Sequence, residues 1–358
     1  MEKSFVLNSI NILGIDICDG IIWFTLQDFN GLCKMTTDLS DVEYVVDIPQ
    51  VNNVSNICYS MVAACGDKIV LISNQANQIL IYDSMTHKYT SVTIRDTPKG
   101  NKFVSYIYRD NKVYLIPGQY SAIVCINLKT NIVNYVDSWL REFPSGIKEG
   151  KVYFRPQIAD VGNGIFYLVS KHYNCVCIFD TNTEKVEVIN NKNGKMDDGA
   201  SCVMEYKGGV ILVYTNISTI EYYKKDIKKE MIADYKLLSD GIIDFSRIVV
   251  ADDVVFCVPF QADRVVCLKV SEELIEDVGG RRFEKSPRYR FAWKHEDNVC
   301  CLRDSEIDFY SFDGMYIKTE KVYGNELFWH RLVSNHCRDN SYIYEGKHIS
   351  LETYLMSV

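Results

Sequence analysis

Short apolar runs separated by short polar turns recur along the whole chain. The first apolar run of each unit occupies residues 21–24, 69–72, 113–116, 165–169, 210–213, 254–257 and 299–302. Each run is apolar at consecutive positions, which is typical of strands that are covered on both faces. The chain also contains 24 Tyr and 16 Phe, and aromatic residues favour strands. The pattern therefore predicts an all-β protein.

A polar triplet follows each of these runs, and its third residue is always Asn, Ser or Asp. These residue types turn a backbone and form local hydrogen bonds with it. The triplets are spaced by about 46 residues on average, within the roughly 40–50 residues of a propeller blade. They are Asp28-Phe29-Asn30, Gln75-Ala76-Asn77, Gln119-Tyr120-Ser121, His172-Tyr173-Asn174, Asn216-Ile217-Ser218, Gln261-Ala262-Asp263 and Arg303-Asp304-Ser305.

Each unit is long enough for four antiparallel strands, here called a to d from the axis outward. In the second unit the pattern places them at residues 59–65, 68–73, 78–83 and 88–94. Short turns inside a unit and longer links between units are typical of a radially repeated meander. A β-sandwich with evenly spaced hairpins is the alternative, but seven triplets in register favour a β-propeller of about seven four-stranded blades.

The C-terminal region leaves the number of blades open. An eighth triplet stands at His348-Ile349-Ser350, and the N-terminal strand at residues 4–8 would then complete and close an eighth blade. The competing interpretation is a helix capped by Ser350. We favour seven blades, with a propeller at residues 1–322. The tail at residues 323–358 then either packs on the propeller or completes a last blade.

Paired glycines at Gly208-Gly209 and Gly279-Gly280 give the repeats a partial likeness to kelch blades. The Gly-His and Trp-Asp marks of WD40 blades are missing. The chain therefore resembles bacterial β-propellers with kelch-like or related repeats, a family of unassigned function. The resemblance covers nearly the whole chain, but it implies only an architecture and identifies no functional residue.

Charge and cysteine content narrow the function classes. The formal net charge is −8 and the pI is about 5.4, which disfavours nucleic acid because phosphate binding relies on basic patches. The N-terminus lacks a signal-peptide pattern, and no apolar run is long enough to span a membrane. With 13 cysteines and no signal peptide, we expect reduced thiols in a cytoplasmic protein without membrane partners.

In a four-stranded antiparallel blade, the b–c turn and the d–a link to the next blade lie at the same end. Loops on a rigid scaffold often carry binding residues, so this turn-and-link face is the candidate ligand site. Its polar, cationic and aromatic side chains suit a peptide, a protein or a small polar or anionic ligand. The candidates are Gln119, Trp139, Arg155, Gln157, His172, Tyr173, Arg247, Gln261, Arg290 and Arg303.

A structural role for the same residues remains open. The triplet side chains would then only satisfy turn backbones, and the basic link at residues 280–290 would be a solvated loop. His172 with Cys175 and Cys177 lacks the second ligand pair of a zinc site, so these residues are expected to pack, with no metal and no cofactor.

No linear catalytic motif is present, which favours a non-catalytic binding propeller over an enzyme. The alternative is an enzyme that acts on a sugar or peptide in a funnel along the axis of the propeller. His172 would then be the acid or base, and Arg155 or Arg290 would hold an anionic group. In a third possibility the protein is a subunit of a complex and docks through its tail, including Phe328 and Trp329.

Overall fold

The computed structural model is all-β and contains seven four-stranded sheets arranged as a β-propeller. It describes residues 9–27, 30–49, 59–74, 76–95, 100–143, 151–190, 197–214, 219–224, 227–234, 245–260, 265–270, 275–279, 288–325, 327–329, 331–332, 342–344 and 347–349.

The first four blades contain sixteen strands in chain order. Blade 1 comprises β1 (Ile12–Cys18), β2 (Ile21–Leu26), β3 (Gly31–Thr36) and β4 (Glu43–Asp47). Blade 2 comprises β5 (Met61–Cys65), β6 (Lys68–Ile72), β7 (Gln78–Asp83) and β8 (Lys88–Thr93). Blade 3 comprises β9 (Phe103–Arg109), β10 (Lys112–Pro117), β11 (Ile123–Asn127) and β12 (Val133–Val136). Blade 4 comprises β13 (Ile158–Asp160), β14 (Ile165–Ser170), β15 (Cys175–Asp180) and β16 (Lys185–Asn190).

Three further blades follow. Blade 5 comprises β17 (Cys202–Tyr206), β18 (Gly209–Tyr214), β19 (Thr219–Lys224) and β20 (Ile227–Asp234). Blade 6 comprises β21 (Phe245–Ala251), β22 (Val254–Pro259), β23 (Val266–Val270) and β24 (Ile275–Gly279). Blade 7 comprises β25 (Phe291–His295), β26 (Asn298–Arg303), β27 (Glu306–Ser311) and β28 (Tyr316–Lys321). A 3₁₀ helix spans Ser138–Arg141, helical turns occupy residues 327–329 and 331–332, and β29 (Tyr342–Tyr344) pairs with β30 (Lys347–Ile349).

The second strand of each blade carries the apolar run that the sequence pattern singled out. In β18 all six residues are buried, and β2, β6 and β10 are buried at every position after the first. The fourth strand β8 is instead mostly exposed. Burial on both faces requires a neighbouring sheet on each side, which explains why the runs do not alternate between apolar and polar residues.

Three of the triplets have a shared structural role. In blades 1, 2 and 7, the backbone carbonyl of the third residue accepts a hydrogen bond from the N–H just after the fourth strand. The pairs are Asn30 with Ile48 at 2.7 Å, Asn77 with Ile94 at 2.9 Å, and Ser305 with Val322 at 2.9 Å. The triplet therefore completes the c–d pairing at the end of the blade, which explains its register in the repeat.

The chain divides into two compact units. Unit 1 contains Met1–Asp96, Asp304–Ile307 and Glu320–Val358, and unit 2 contains Thr97–Arg303 and Asp308–Thr319. In unit 1, the segment before β1 binds backbone of the last blade: Ile10 N–H donates to Val322 at 2.8 Å, and Ser9 forms a bridge with Tyr323.

The tail in unit 1 packs on β4. Asn325 caps its short helix, since its side-chain oxygen accepts from the Phe328 N–H at 2.8 Å. The Phe328 ring is buried and meets the Tyr44 ring edge-on at 5.8 Å, and Arg331 pairs with Glu43 at 3.0 Å. The pattern of apolar and polar residues did not predict this helix.

The eight-blade alternative is wrong. The described residues contain seven four-stranded sheets, and β29 and β30 form only a two-stranded hairpin of three-residue strands. The N-terminal strand at residues 4–8 and the helix capped by Ser350 lie outside the described residues. Eleven cysteines lie within them, and none of these forms a disulfide.

An aromatic cluster in unit 2 fills the space between blades 3 and 4. Trp139 has no exposed surface, and its indole N–H donates to the Val136 carbonyl at 2.9 Å. Its ring contacts Phe143, Tyr153 and Phe154, with centroids 5.0 to 5.2 Å away. The link carrying Trp139 therefore contributes to the hydrophobic core and does not present this ring to a ligand.

Truncation of this ring tests the core assignment. We expect Trp139→Ala to lower the free energy of unfolding by about 3–5 kcal/mol, because it removes a fully buried aromatic side chain. Ile132→Ala, at an exposed position of the same blade, serves as the control and should change it by about 0.5 kcal/mol or less. Urea denaturation followed by circular dichroism measures both, and equal losses in the two variants would contradict the assignment.

Candidate functional site

The antiparallel blades bring b–c turns and d–a links to one end, as the topology predicts. In blade 3 the Gln119 N–H donates to the Asn101 carbonyl at 2.7 Å, which joins the b–c turn to the preceding link. In blade 4 the Gly199 N–H donates to the Lys171 carbonyl at 2.9 Å, which joins that turn to the following link. We call this end of unit 2 the turn-and-link face.

Three side chains from separate segments converge on this face beside blade 4. His172 Nδ1 lies 2.5 Å from Asp197 Oδ1, and Lys151 Nζ lies 3.0 Å from the same oxygen. His172 comes from the b–c turn, whereas Lys151 and Asp197 come from the links before and after the blade. The imidazole is 19% exposed, so the cluster is open to solvent but shielded on one side. We call these residues, together with Arg155, the His172 cluster.

Local backbone geometry holds Asp197 against His172. The Asp197 N–H donates to the His172 carbonyl at 3.2 Å, and Asp197 has a φ of +72°, in the left-handed region that Asp tolerates better than most residues. Two residues later, a Cβ on Gly199 would lie 2.2 Å from the Ser170 carbonyl oxygen. Only glycine fits this close approach between link and turn.

Electrostatics set the protonation states within the cluster. Burial lowers the pKa of His172, and the cations Lys151 and Arg155 lower it further, while Asp197 acts in the opposite direction. The hydrogen bonds from His172 and Lys151 lower the pKa of Asp197. At neutral pH the carboxylate is thus ionised and the imidazole neutral. Because a carboxylate only accepts hydrogen bonds, Nδ1 carries the proton and Nε2 is the basic nitrogen.

Arg155 joins the starts of three inner strands. Its backbone N–H donates to Val169 at 2.9 Å in its own blade. Its guanidinium donates to the carbonyls of Ser201 and Phe245, each at 3.3 Å, in blades 5 and 6. These bonds fix a partly exposed positive charge on the inner side of the His172 cluster.

Gln157 makes a similar connection deeper inside. Its side-chain amide donates to the Ile248 carbonyl at 2.6 Å and accepts from the Ile248 N–H at 2.7 Å, and the residue is buried. The nitrogen and the oxygen of the amide are thus both hydrogen-bonded, and they connect blade 4 to blade 6. The structure places Gln157 as a packing and pairing residue rather than at a surface for ligands.

The other predicted residues are dispersed. Tyr173 is buried and stacks on Tyr153, with ring centroids 5.9 Å apart, so it belongs to the core with Trp139. The guanidinium of Arg247 lies over the ring of Phe291, 4.2 Å from its centroid. The remaining positions are half-buried Gln119, exposed Arg290, and Arg303 paired with buried Asp308 at 3.3 Å. Gln261 and residues 280–287 of the basic link lie outside the described residues.

The structure thus brings together Arg155 and His172 from the predicted set and adds Lys151 and Asp197. The only sequence signal for Asp197 was its place in the turn-forming run Asp197-Asp198-Gly199. In the described part of the chain, no three His, Cys, Asp or Glu side chains meet as a metal site. No helix there is long and apolar enough to cross a bilayer.

No protein family and no curated protein sequence matches the chain. Solved propellers do. A virginiamycin B lyase from Staphylococcus aureus in complex with quinupristin aligns with a TM-score of 0.60 and 12% identity, over 83% of this chain and 92% of that one. The RRP9 WD40 repeats align at 0.57 and 10%, over 84% and 89%. A chain of a mitotic checkpoint complex aligns at 0.56 and 10%, over 90% and 93%. These likenesses support the propeller fold, and kelch-like repeats stay a prediction.

The protonation states predict opposite effects of two neutralising substitutions. Lys151→Ala should raise the pKa of His172, because it removes a nearby positive charge. Asp197→Asn should lower it, because it removes the carboxylate that stabilises the imidazolium. Histidine NMR titration measures both, with Lys129→Ala, on the exposed c–d turn of blade 3, as the control that leaves the pKa unchanged.

A shift of the same sign in both variants, or no shift, would contradict the arrangement of the His172 cluster.

The direction of the His172 pKa shift also determines how the stability of the fold depends on pH. The unfolded pKa of histidine is about 6.5 and the folded one is lower, so this group stabilises the fold fully above the unfolded value, and that stability is lost as the pH falls toward the folded value.

Proposed function

We propose that this protein is a non-catalytic binding propeller whose turn-and-link face in unit 2 binds a small anionic ligand. The observation that carries the proposal is the convergence of two cations, Lys151 and Arg155, on a neutral His172 that is hydrogen-bonded to a single carboxylate, Asp197. Two cations against one anion give the His172 cluster a net positive charge in a protein of net charge −8. Such a local reversal of sign attracts anions by electrostatic steering.

The chemistry of the cluster suits a carboxylate or a phosphate. An ammonium and a guanidinium donate charge-assisted hydrogen bonds to anionic oxygens, and a guanidinium fixed by backbone carbonyls needs little reordering when a ligand arrives. The anion could also belong to a peptide or protein, which agrees with the WD40 and checkpoint-complex neighbours. Gln119, Arg247, Arg290 and Arg303 stay in the proposal as further contacts for a larger ligand, and so does Gln261, which lies outside the described residues.

An enzyme is the second candidate, and the His172–Asp197 pair is the observation that favours it. A neutral imidazole oriented by a carboxylate presents Nε2 as a general base. In the structurally similar virginiamycin B lyase, a catalytically inactive variant replaces a histidine with alanine. Here His172 would move the proton of a sugar or peptide substrate, and Arg155 or Arg290 would hold its anionic group.

Further parts of the proposal concern organisation and location. We place a propeller at residues 1–322 and a tail at 323–358. Docking through Phe328 and Trp329, the alternative use of the tail, would have to rely on the half-buried Trp329, because the Phe328 ring is buried against Tyr44. The indole N–H of Trp329 donates a hydrogen bond to the Gly324 carbonyl at 3.0 Å, and this bond lies within the tail. None of the eleven cysteines in the described residues forms a disulfide, which supports a cytoplasmic location.

A thermal-shift screen with acetate, phosphate and citrate at matched ionic strength tests the anion site. A ligand at about a hundredfold excess over its dissociation constant should add about 2.7 kcal/mol to the stability of the wild type. Lys151→Ala and Arg155→Ala should each weaken this binding about tenfold, since each removes a charge-assisted hydrogen bond. Lys129→Ala is the matched control and should bind like the wild type.

The proposal fails if none of the three anions stabilises the wild type, or if Lys129→Ala weakens binding as much as Lys151→Ala. A bound anion that is chemically altered during incubation, with the change lost in His172→Ala, would replace the binding propeller by the enzyme. Mass spectrometry of the incubated ligand supplies that readout.

A further inference from the structure

A separate pocket opens between blades 4 and 5. Its volume is about 170 Å³, and its walls come from the c and d strands of blade 4, the b and c strands of blade 5 and the intervening link. No member of the His172 cluster lines it. An engineered cavity of about 150 Å³ holds a benzene molecule, so this pocket has room for a ligand of roughly that size.

A buried carboxylate lines this pocket. Glu221 is only 6% exposed and lies opposite Leu212 in the register of β18 and β19. Tyr214, also buried, hydrogen-bonds to it, and burial together with this carboxylate raises the pKa of the Tyr214 hydroxyl. The phenol therefore stays protonated and donates to Glu221. Ionised carboxylates are costly to bury, and a cation beside them offsets that cost.

The rest of the lining matches a cation that carries an apolar stem. Among the described residues that line the pocket there is no Lys, Arg or His, and Glu221 is the one acidic side chain of that described lining. Val176, Ile189 and Leu212 supply apolar walls, and the ring of Tyr223 stands edge-on against Tyr167, 6.0 Å between centroids. Aromatic faces attract ammonium groups, which adds to the preference set by Glu221.

We infer that this pocket binds a small primary alkylammonium compound, with its ammonium group on Glu221 and its carbon chain against Val176, Ile189 and Leu212. The site is independent of the anion site proposed above, because its lining has the opposite charge and shares none of the residues of the His172 cluster.

Isothermal titration calorimetry with n-butylammonium chloride tests the inference on the full chain. The wild type should bind n-butylammonium at concentrations up to about 10 mM, and 1-butanol, which keeps the carbon chain but lacks the charge, should bind about tenfold more weakly or worse. Glu221→Gln keeps the size of the side chain and removes its charge, so n-butylammonium should bind to it about tenfold more weakly. Glu187→Gln, on an exposed position of neighbouring β16, should bind like the wild type.

A second variant keeps the proposal testable if Glu221→Gln fails to fold. Ala200 is buried in the wall of the pocket, so Ala200→Val narrows the space while keeping the carboxylate, and it should also weaken binding. Three results would each overturn the inference: no binding of n-butylammonium to the wild type, equal binding of 1-butanol, or undiminished binding in a folded Glu221→Gln variant. Acetate binding at the His172 cluster should be unchanged in Glu221→Gln, which separates this site from the other proposal.

Discussion

The second strand of each blade is buried on both faces, and the rest of the structure depends on this constraint. A strand such as β18, with six buried residues in a row, cannot face water on either side, so its sheet needs a neighbour on both sides. The cores of unit 2 accordingly lie between successive blades, for example the aromatic cluster around Trp139 between blades 3 and 4. The backbone groups of the strands are hydrogen-bonded inside each four-stranded sheet. The links between blades are free of this constraint, so their sequence and length differ from blade to blade.

Antiparallel pairing then decides where polar chemistry can gather. Because b–c turns and d–a links share one end, side chains separated by 25 and 46 residues in sequence meet at Asp197. The inner strands are held by polar ties, in which Gln157 binds both backbone groups of Ile248 and Arg155 binds two carbonyls. Hydrogen bonds of this kind each contribute about 1 kcal/mol net, but removing one partner of a buried bond leaves the other partner unsatisfied. The site thus rests on a frame that is costly to distort.

The sequence predicted the repeat well, because strand periodicity and turn residues are local signals. The apolar runs became the second strands, and the triplet residues that the structure describes lie at the b–c turns. The side-chain roles were harder to predict. Trp139 lies in a polar link, yet a 3₁₀ turn directs its ring into the core, where Val136 accepts its N–H. Gln157 looked like a binding residue because an amide is polar, but its partner is a backbone 91 residues away.

The cluster itself could not be read from the sequence, for the same reason. Lys151 and Asp197 are ordinary link residues until the blade brings them to His172, and convergence is a property of topology rather than of spacing. The tail shows the reverse case. Asn325 is a recognisable helix cap, but the helix is short and is stabilised mainly by the contact of Phe328 with Tyr44, which no local pattern predicts.

We propose that the His172 cluster serves ligand binding and does not hold the fold together. The unfolding free energy of the double variant Lys151→Ala/His172→Ala, measured by urea denaturation without ligand, tests this proposal most directly. Because both side chains are partly exposed, we expect the unfolding free energy to change by about 1 kcal/mol or less. A loss of about 3 kcal/mol or more would mean that the cluster is a structural ion-pair network, and the binding role would have no support from it.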